Sequence, residues 1–331
     1  MRRSTLIATA PLVLALAGQA RAADPVGDRA FKSGPIQVTA DGRWVWAANA
    51  HADTVFRIDT RDQSVSAFLL PEPAVVDSPR GLSVLEDGSE VWVACHDTDR
   101  VYVLDGASGA VKATVALPWG SGPYSIALSR PDAASGKQKW ALVTLHRSNK
   151  LAIIDTATRA VIPLGDVFVS PHGIVWTEDG TSAWVSHLLV TDEHAQLTRV
   201  DVSGPAPKVA TRVTAFAATP QNNPQLTNPD AAKNVAEGGY LNFRGHPAQI
   251  PSSTGLQQVW LPTQYHNMHA DGFTPDSTVQ VSLRRLDLAT RRVLAGDKAV
   301  LTAVSVHNPS QGHNNPAWLG WGWDASISGA V

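Results

Sequence analysis

The sequence predicts an all-β fold: a β-propeller of four-stranded antiparallel blades, with five blades and the start of a sixth visible. Three observations predict it. The segment DGRWVWAANAHADTVFRID (41–59) aligns without a gap on DGSEVWVACHDTDRVYVLD (87–105), 46 positions further on. Each copy has an apolar run, a polar link, a second apolar run and a closing aspartate. Turn signals separate these runs at short, regular intervals, and a unit of roughly 45 residues carrying four short strands is the mark of a propeller blade.

The elements follow in order. A third copy is KWALVTLHRSNKLAIID (139–155). The fourth, DGTSAWVSHLLVTDEHAQLTRVD (179–201), is four residues longer, and the fifth, QVWLPTQYHNMHADGFTPDSTVQVSLRRLD (258–287), carries a larger insertion at the same place. Upstream of the core pair lies a first strand, as in PRGLSVLEDG (79–88) and PHGIVWTEDG (171–180). Downstream lies a fourth, as in AVKATVALP (110–118). Asp-Gly at 41–42, 87–88 and 179–180 predicts tight hairpins with both turn residues at positive φ. Asp59, Asp105, Asp155, Asp201 and Asp287 each begin a turn, where a carboxylate accepts from a backbone N–H two residues on. Their periodicity favours capping over paired acid–base catalysis. Trp46, Trp92, Leu142, Trp184 and Trp260 share one position on the second strand. A wide ring there fills the wedge between blades.

These units resemble the YVTN-type β-propeller repeat of exported prokaryotic proteins. The four-residue core reads WAAN (46–49), WVAC (92–95), LVTL (142–145), WVSH (184–187) and WLPT (260–263), and only Asn49 keeps that repeat's final asparagine. The resemblance implies fold and says almost nothing about activity. The last third, with LPTQYHN and DSTVQVSLRRLDLATRRV, more loosely resembles propeller modules that accompany di-haem cytochrome c peroxidase-type domains. That likeness implies an electron-transfer setting.

Residues 1–22 read as an export signal. Arg2 and Arg3 open it, LIATAPLVLALAG is its apolar run, and Ala20-Arg21-Ala22 is a small-x-small cleavage site. The expected product, cleaved near Ala22, is periplasmic or secreted, by Sec or twin-arginine export. No later segment reads as a membrane span. The domain layout is then an N-terminal segment, 23–32, and a propeller, 33–331. The sixth unit begins at NNPAWLGWGWDAS, and the sequence stops where its second strand is due. The expectation is a chain truncated from a six- to eight-bladed ring; the alternative is that 23–33 supplies a strand to a smaller one.

The chain of 331 residues is 44% hydrophobic and 17% charged, with 11 tryptophans, which suits a large packed core. Its formal net charge is −2, and no basic run or stripe occurs, so nucleic acid is not an expected partner. The single cysteine, Cys95, has no partner for an internal disulfide, and without C-x-x-C-H no covalent c-type haem is expected. No cofactor is predicted.

The insertions predict where function lies. Turns between strands 1 and 2 are short, whereas long insertions fall at 188–195, 218–247 and 264–278. All lie on the face that carries strand 2–3 loops and blade connections, and insertions confined to one face mark the binding face of a repeat protein. The residue after the first-strand proline faces the central channel there: Arg80, Tyr124 and His172. The second strands end nearby at His96, His146 and Gln264, and loops bring His187, His194, His246, His266 and His269 to the same face. The one candidate ligand set for copper or zinc is HNMHAD, with His266, Met268, His269 and Asp271. Two functions follow. The first is a binding module presenting its looped face to a small ligand or a protein, such as a periplasmic redox partner. The second is a propeller enzyme, lactonase-like or a metal-dependent hydrolase or oxidase, with a histidine-rich site at the channel mouth. G-x-S-x-G, Walker A and dinucleotide glycine patterns are absent. Cys95 itself reads as a small apolar filler between blades.

Overall fold

The computed structural model describes residues 34–71, 76–132, 135–188 and 194–217, and strands at 240–242, 248–250, 258–266, 279–287 and 292–293. All of its regular structure is β. The first blade holds β1 (Ile36–Val38), β2 (Trp44–Asn49), β3 (Thr54–Asp59) and β4 (Val65–Leu69). The second holds β5 (Pro79–Val84), β6 (Glu90–Cys95), β7 (Arg100–Asp105) and β8 (Val111–Ala116). The third holds β9 (Pro123–Leu128), β10 (Trp140–Leu145), β11 (Lys150–Asp155) and β12 (Val161–Asp166). The fourth holds β13 (Pro171–Trp176), β14 (Ser182–His187), β15 (His194–Asp201) and β16 (Lys208–Ala217). A fifth sheet contains β17 (Tyr240–Asn242), β18 (Ala248–Ile250), β19 (Gln258–His266), β20 (Val279–Asp287) and β21 (Arg292–Val293).

In the first four sheets the strands pair in chain order, each antiparallel to the next. That is the meander of a propeller blade, and the fold is the β-propeller that the repeat predicts. The sixth unit and the segment before Gly34 lie outside the described residues. Strands run into all three of the expected insertions: β15 starts at His194, β17 lies within 218–247, and β19 continues to His266.

Sheet faces pack on sheet faces. Trp46 and Val55 of the first blade meet Leu82, Val93, Cys95 and Tyr102 of the second. Trp92 and Val103 on the second blade's other face meet Ile126, Val143 and Ile154 of the third. Leu142 and Ile153 of the third meet Ile174, Trp176 and Val200 of the fourth. Trp46, Trp92, Leu142 and Trp184 are all buried, as their shared register requires. Each aliphatic side chain so buried contributes about 1.5–3 kcal/mol.

The closing aspartates cap turns as predicted. Asp59, Asp105, Asp155 and Asp201 accept from the N–H groups of Arg61, Ala107, Ala157 and Ser203. The Asp-Gly hairpins differ from expectation. Gly42, Gly88 and Gly180 have φ of 70°, 71° and 67°, whereas Asp41, Asp87 and Asp179 stay at negative φ. Each glycine N–H bonds the carbonyl three residues back, at Thr39, Leu85 and Thr177. The loop is therefore longer than two residues, built on an ordinary turn that only its glycine leaves for the left-handed region.

Candidate functional site

The inner strands start with a proline and then break register. Irregularities fall between Pro79 and Gly81, within Pro123–Ile126, and between Pro171 and Ile174. A bulge inserts an extra residue and re-aims its side chain. The residues so displaced include Arg80, Tyr124 and His172, one from each of three consecutive blades. The strands lie close at this inner end: a Cβ on Gly81 would stand 2.7 Å from the Tyr124 carbonyl oxygen.

These side chains meet the ends of the second strands. The Tyr124 ring lies 4.4 Å from the His172 ring and 5.2 Å from the His146 ring, tilted by 36° and 34°. His96 stands edge-on to Tyr124 at 6.1 Å and 6.1 Å from His146, which is 6.2 Å from His172. Four of the predicted residues thus form one aromatic cluster across three blades. Arg80 acts on it electrostatically, its charge reaching His96, Tyr124 and His146. The Arg80 guanidinium makes no hydrogen bond or ion pair with the described residues, and its Nε is buried without an acceptor.

Two further residues complete the site. Asp97 accepts from His96 Nδ1 at 2.9 Å and from the Ser78 hydroxyl at 2.5 Å, and it pairs with the Arg147 guanidinium. Arg147 comes from the third blade, so this clamp joins two blades. Burial works to raise the Asp97 pKa, but the bonds from Ser78, His96 and Arg147 outweigh it and hold the carboxyl at about 2. An ionised Asp97 fixes His96 with its proton on Nδ1 and leaves Nε2 as the basic nitrogen. Burial first, then the charges of Arg147 and Arg80, lower the His96 pKa below its ordinary value despite Asp97. His146 is lowered by burial first and then by His96, Arg147 and Arg80, against the bond to the Pro171 carbonyl oxygen, 3.4 Å from its Nδ1. Both rings are therefore neutral at neutral pH. Burial raises the Tyr124 phenol, which stays protonated. The site combines an oriented neutral base, a phenol and a cation that pairs with no carboxylate among the described residues. That combination suits proton abstraction beside a developing negative charge.

Sequence reasoning missed Asp97 and Arg147. Their signal was the residue after each strand-ending histidine, His96-Asp97 and His146-Arg147. His187 stands apart from the cluster. It is fully buried, with Nε2 2.9 Å from the Thr198 hydroxyl and its ring edge-on to Phe168. Its partner across the sheet is Pro171, as Cys95 faces Pro79 and Leu145 faces Pro123. It holds the filler position, one residue short of the rim. Cys95 is buried as expected, and desolvation pushes its thiol pKa well up. Gln264 lies on β19 opposite Asn242 and Val281, and His266 ends that strand. His194 opens β15. Met268, His269, Asp271 and His246 lie outside the described residues. Among the described residues no three or more His, Cys, Asp or Glu side chains are grouped to hold a metal. No helix among them is long and apolar enough to cross a membrane.

Residues 14–127 match the family model described as Lactonase, 7-bladed beta-propeller. That span includes Arg80, His96, Asp97 and Tyr124. No curated protein matches the chain. Among solved structures, hydrazine synthase of Kuenenia stuttgartiensis is 16% identical with a TM-score of 0.59, covering 77% of this chain. The chain spans 63% of that protein, under two thirds of its length. The periplasmic gluconolactonase PpgL of Pseudomonas aeruginosa is 18% identical, covering 78% of this chain and 67% of its own, with a TM-score of 0.45. A putative 6-phosphogluconolactonase of Bacteroides uniformis is 13% identical over 78% of this chain and 68% of its own, at 0.48. At these identities the likeness to hydrazine synthase speaks for the fold alone, and the other two are weaker.

Proposed function

We propose that the protein is a hydrolase that opens cyclic esters at the mouth of the propeller channel. The observation that carries this reading is the Asp97–His96 pair set beside Arg80, which has no carboxylate partner among the described residues. The partial match to a lactonase family supports the same reaction class. A binding module has no need of a base held in one tautomer, so the enzyme reading is preferred to the module that the loops first suggested. The arginine-led apolar N-terminus supports an extracytoplasmic place of action.

In the proposed reaction, His96 Nε2 removes a proton from a water molecule as the water oxygen bonds to the lactone carbonyl carbon. The carbonyl π pair moves onto oxygen, and the oxyanion faces the Arg80 guanidinium and the Tyr124 hydroxyl. When the intermediate collapses, the ring C–O bond breaks. The departing alkoxide takes the proton held on His96, and the product is a hydroxy acid. Asp97 stays ionised and steadies the imidazolium formed on the way.

The test is acid release from glucono-δ-lactone, followed in a pH-stat. His96→Ala and Arg80→Ala should each lower kcat/KM by about 10²-fold or more while the protein remains folded. Wild-type protein that does not exceed the spontaneous rate, or a His96→Ala variant that keeps the wild-type rate, overturns the proposal.

A further inference from the structure

We infer that Asp53, Asp99 and Asn149 are positioning residues, each setting the site groups of the next blade. The three occupy one register place, at the end of the loop between a blade's second and third strands. All have positive φ, at 46°, 55° and 57°. Each side chain reaches the following blade. Asp53 accepts the Ser78 N–H at 2.8 Å, Asp99 accepts the Gly122 N–H at 2.7 Å, and Asn149 accepts the Ser170 N–H at 2.8 Å.

The residues they hold share an unusual backbone. Ser78, Gly122 and Ser170 have φ of 49°, 58° and 52°, and each immediately precedes the first-strand proline. A residue before proline avoids helical conformations, and a serine at positive φ is strained. Such a conformation persists only where its surroundings impose it. The latch supplies that constraint, and in the second and third blades its consequences reach two site residues at once. Arg80, Tyr124 and His172 follow the held N–H by two residues. The carbonyls of Ser78, Gly122 and Ser170 also accept the N–H groups of His96, His146 and Leu188. One side chain on the preceding blade therefore fixes both the bulged inner residue and the end of the second strand. Carboxylate and amide serve equally in this role, since only an acceptor oxygen is required.

The inference that these residues matter to turnover rests on the hydrolase reading; the positioning itself does not. The test uses Asn149→Gly, which removes the latch but keeps a residue suited to positive φ, and Asn149→Asp, which keeps the acceptor. The first readout is the His172 ring resonance, sensitive to the Tyr124 ring beside it, with exposed His51 on the first blade as the control. Asn149→Gly should move the His172 resonance and leave His51 unchanged, and Asn149→Asp should restore it. The second readout is lactone turnover, where Asn149→Gly should lower kcat by up to about 10²-fold, the cost of a misplaced group, and Asn149→Asp should recover it. A His172 resonance unchanged in Asn149→Gly overturns the inference whatever the activity. An unchanged kcat in an active enzyme overturns the part of the inference that concerns turnover. If the wild type hydrolyses no lactone, the functional reading fails and the resonance alone decides the latch.

Discussion

Replacing Asp99 by glycine tests how much the inter-blade latches stabilise the ring, with Asn149→Gly as its internal measure. Asp99 is buried and accepts three bonds: from the Gly120 N–H at 2.6 Å, the Ser121 hydroxyl at 3.1 Å and the Gly122 N–H at 2.7 Å. Asn149, in the same register on the next blade, accepts one such bond, from the Ser170 N–H. Glycine tolerates the positive φ at both sites, and its entropy cost in the unfolded chain is common to both. The difference between the variants therefore isolates the bonds. A hydrogen bond to a charged acceptor contributes about 1.5–3 kcal/mol and a neutral one about 0.5–1.5 kcal/mol. Water reaching the freed amides and the relief of a desolvated carboxylate reduce the total. The expected excess cost of Asp99→Gly over Asn149→Gly is about 2–4 kcal/mol. Urea unfolding, followed by tryptophan fluorescence and circular dichroism together, measures it if the two transitions coincide. An Asn149→Gly variant as destabilised as Asp99→Gly, at equal slopes, would show that the extra bonds of Asp99 do not stabilise the ring.

Two further predictions concern residues at the site and behind it. Cys95→Ala should keep the fold and any activity, at a stability cost of about 1 kcal/mol for the small void; activity lost in a folded variant would show that the thiol has a chemical role. The lowered pKa values of His96 and His146 also make stability depend on pH. Their folded pKa values lie below the ordinary 6.5. Their contribution is thus complete above 6.5 and is lost as pH falls through the folded values. Chemical denaturation at a series of pH values should show stability declining below about 6.5, and His96→Ala should flatten that decline; an unchanged slope would count against a neutral, desolvated His96.

Most of the fold was legible because a blade is a local unit. Trp46, Trp92, Leu142 and Trp184 recur in register, and the closing aspartates cap turns within two residues of themselves. The site was legible in outline, since Arg80, His96, Tyr124, His146 and His172 occupy two register positions that the topology brings to one end of the inner strands. His187 was misplaced by one residue, and along a strand one residue turns a side chain to the other face. Asp97 and Arg147 escaped because their meeting joins loops of different blades, 50 positions apart. The latches escaped for the same reason. The column Asp53, Asp99 and Asn149 is visible in the alignment, but its acceptors serve amides more than 20 residues onward, just before the next blade's first strand.

If a neutral His96 held by Asp97 is the base for ester hydrolysis, the pH dependence of kcat/KM for glucono-δ-lactone will show it. The free enzyme's essential base appears there as the acidic limb. The limb should have an apparent pKa below 6.5, with activity lost as His96 becomes protonated, and should disappear in a folded His96→Ala protein. A limb above 6.5, or one that survives in His96→Ala at the wild-type rate, would contradict that role for His96.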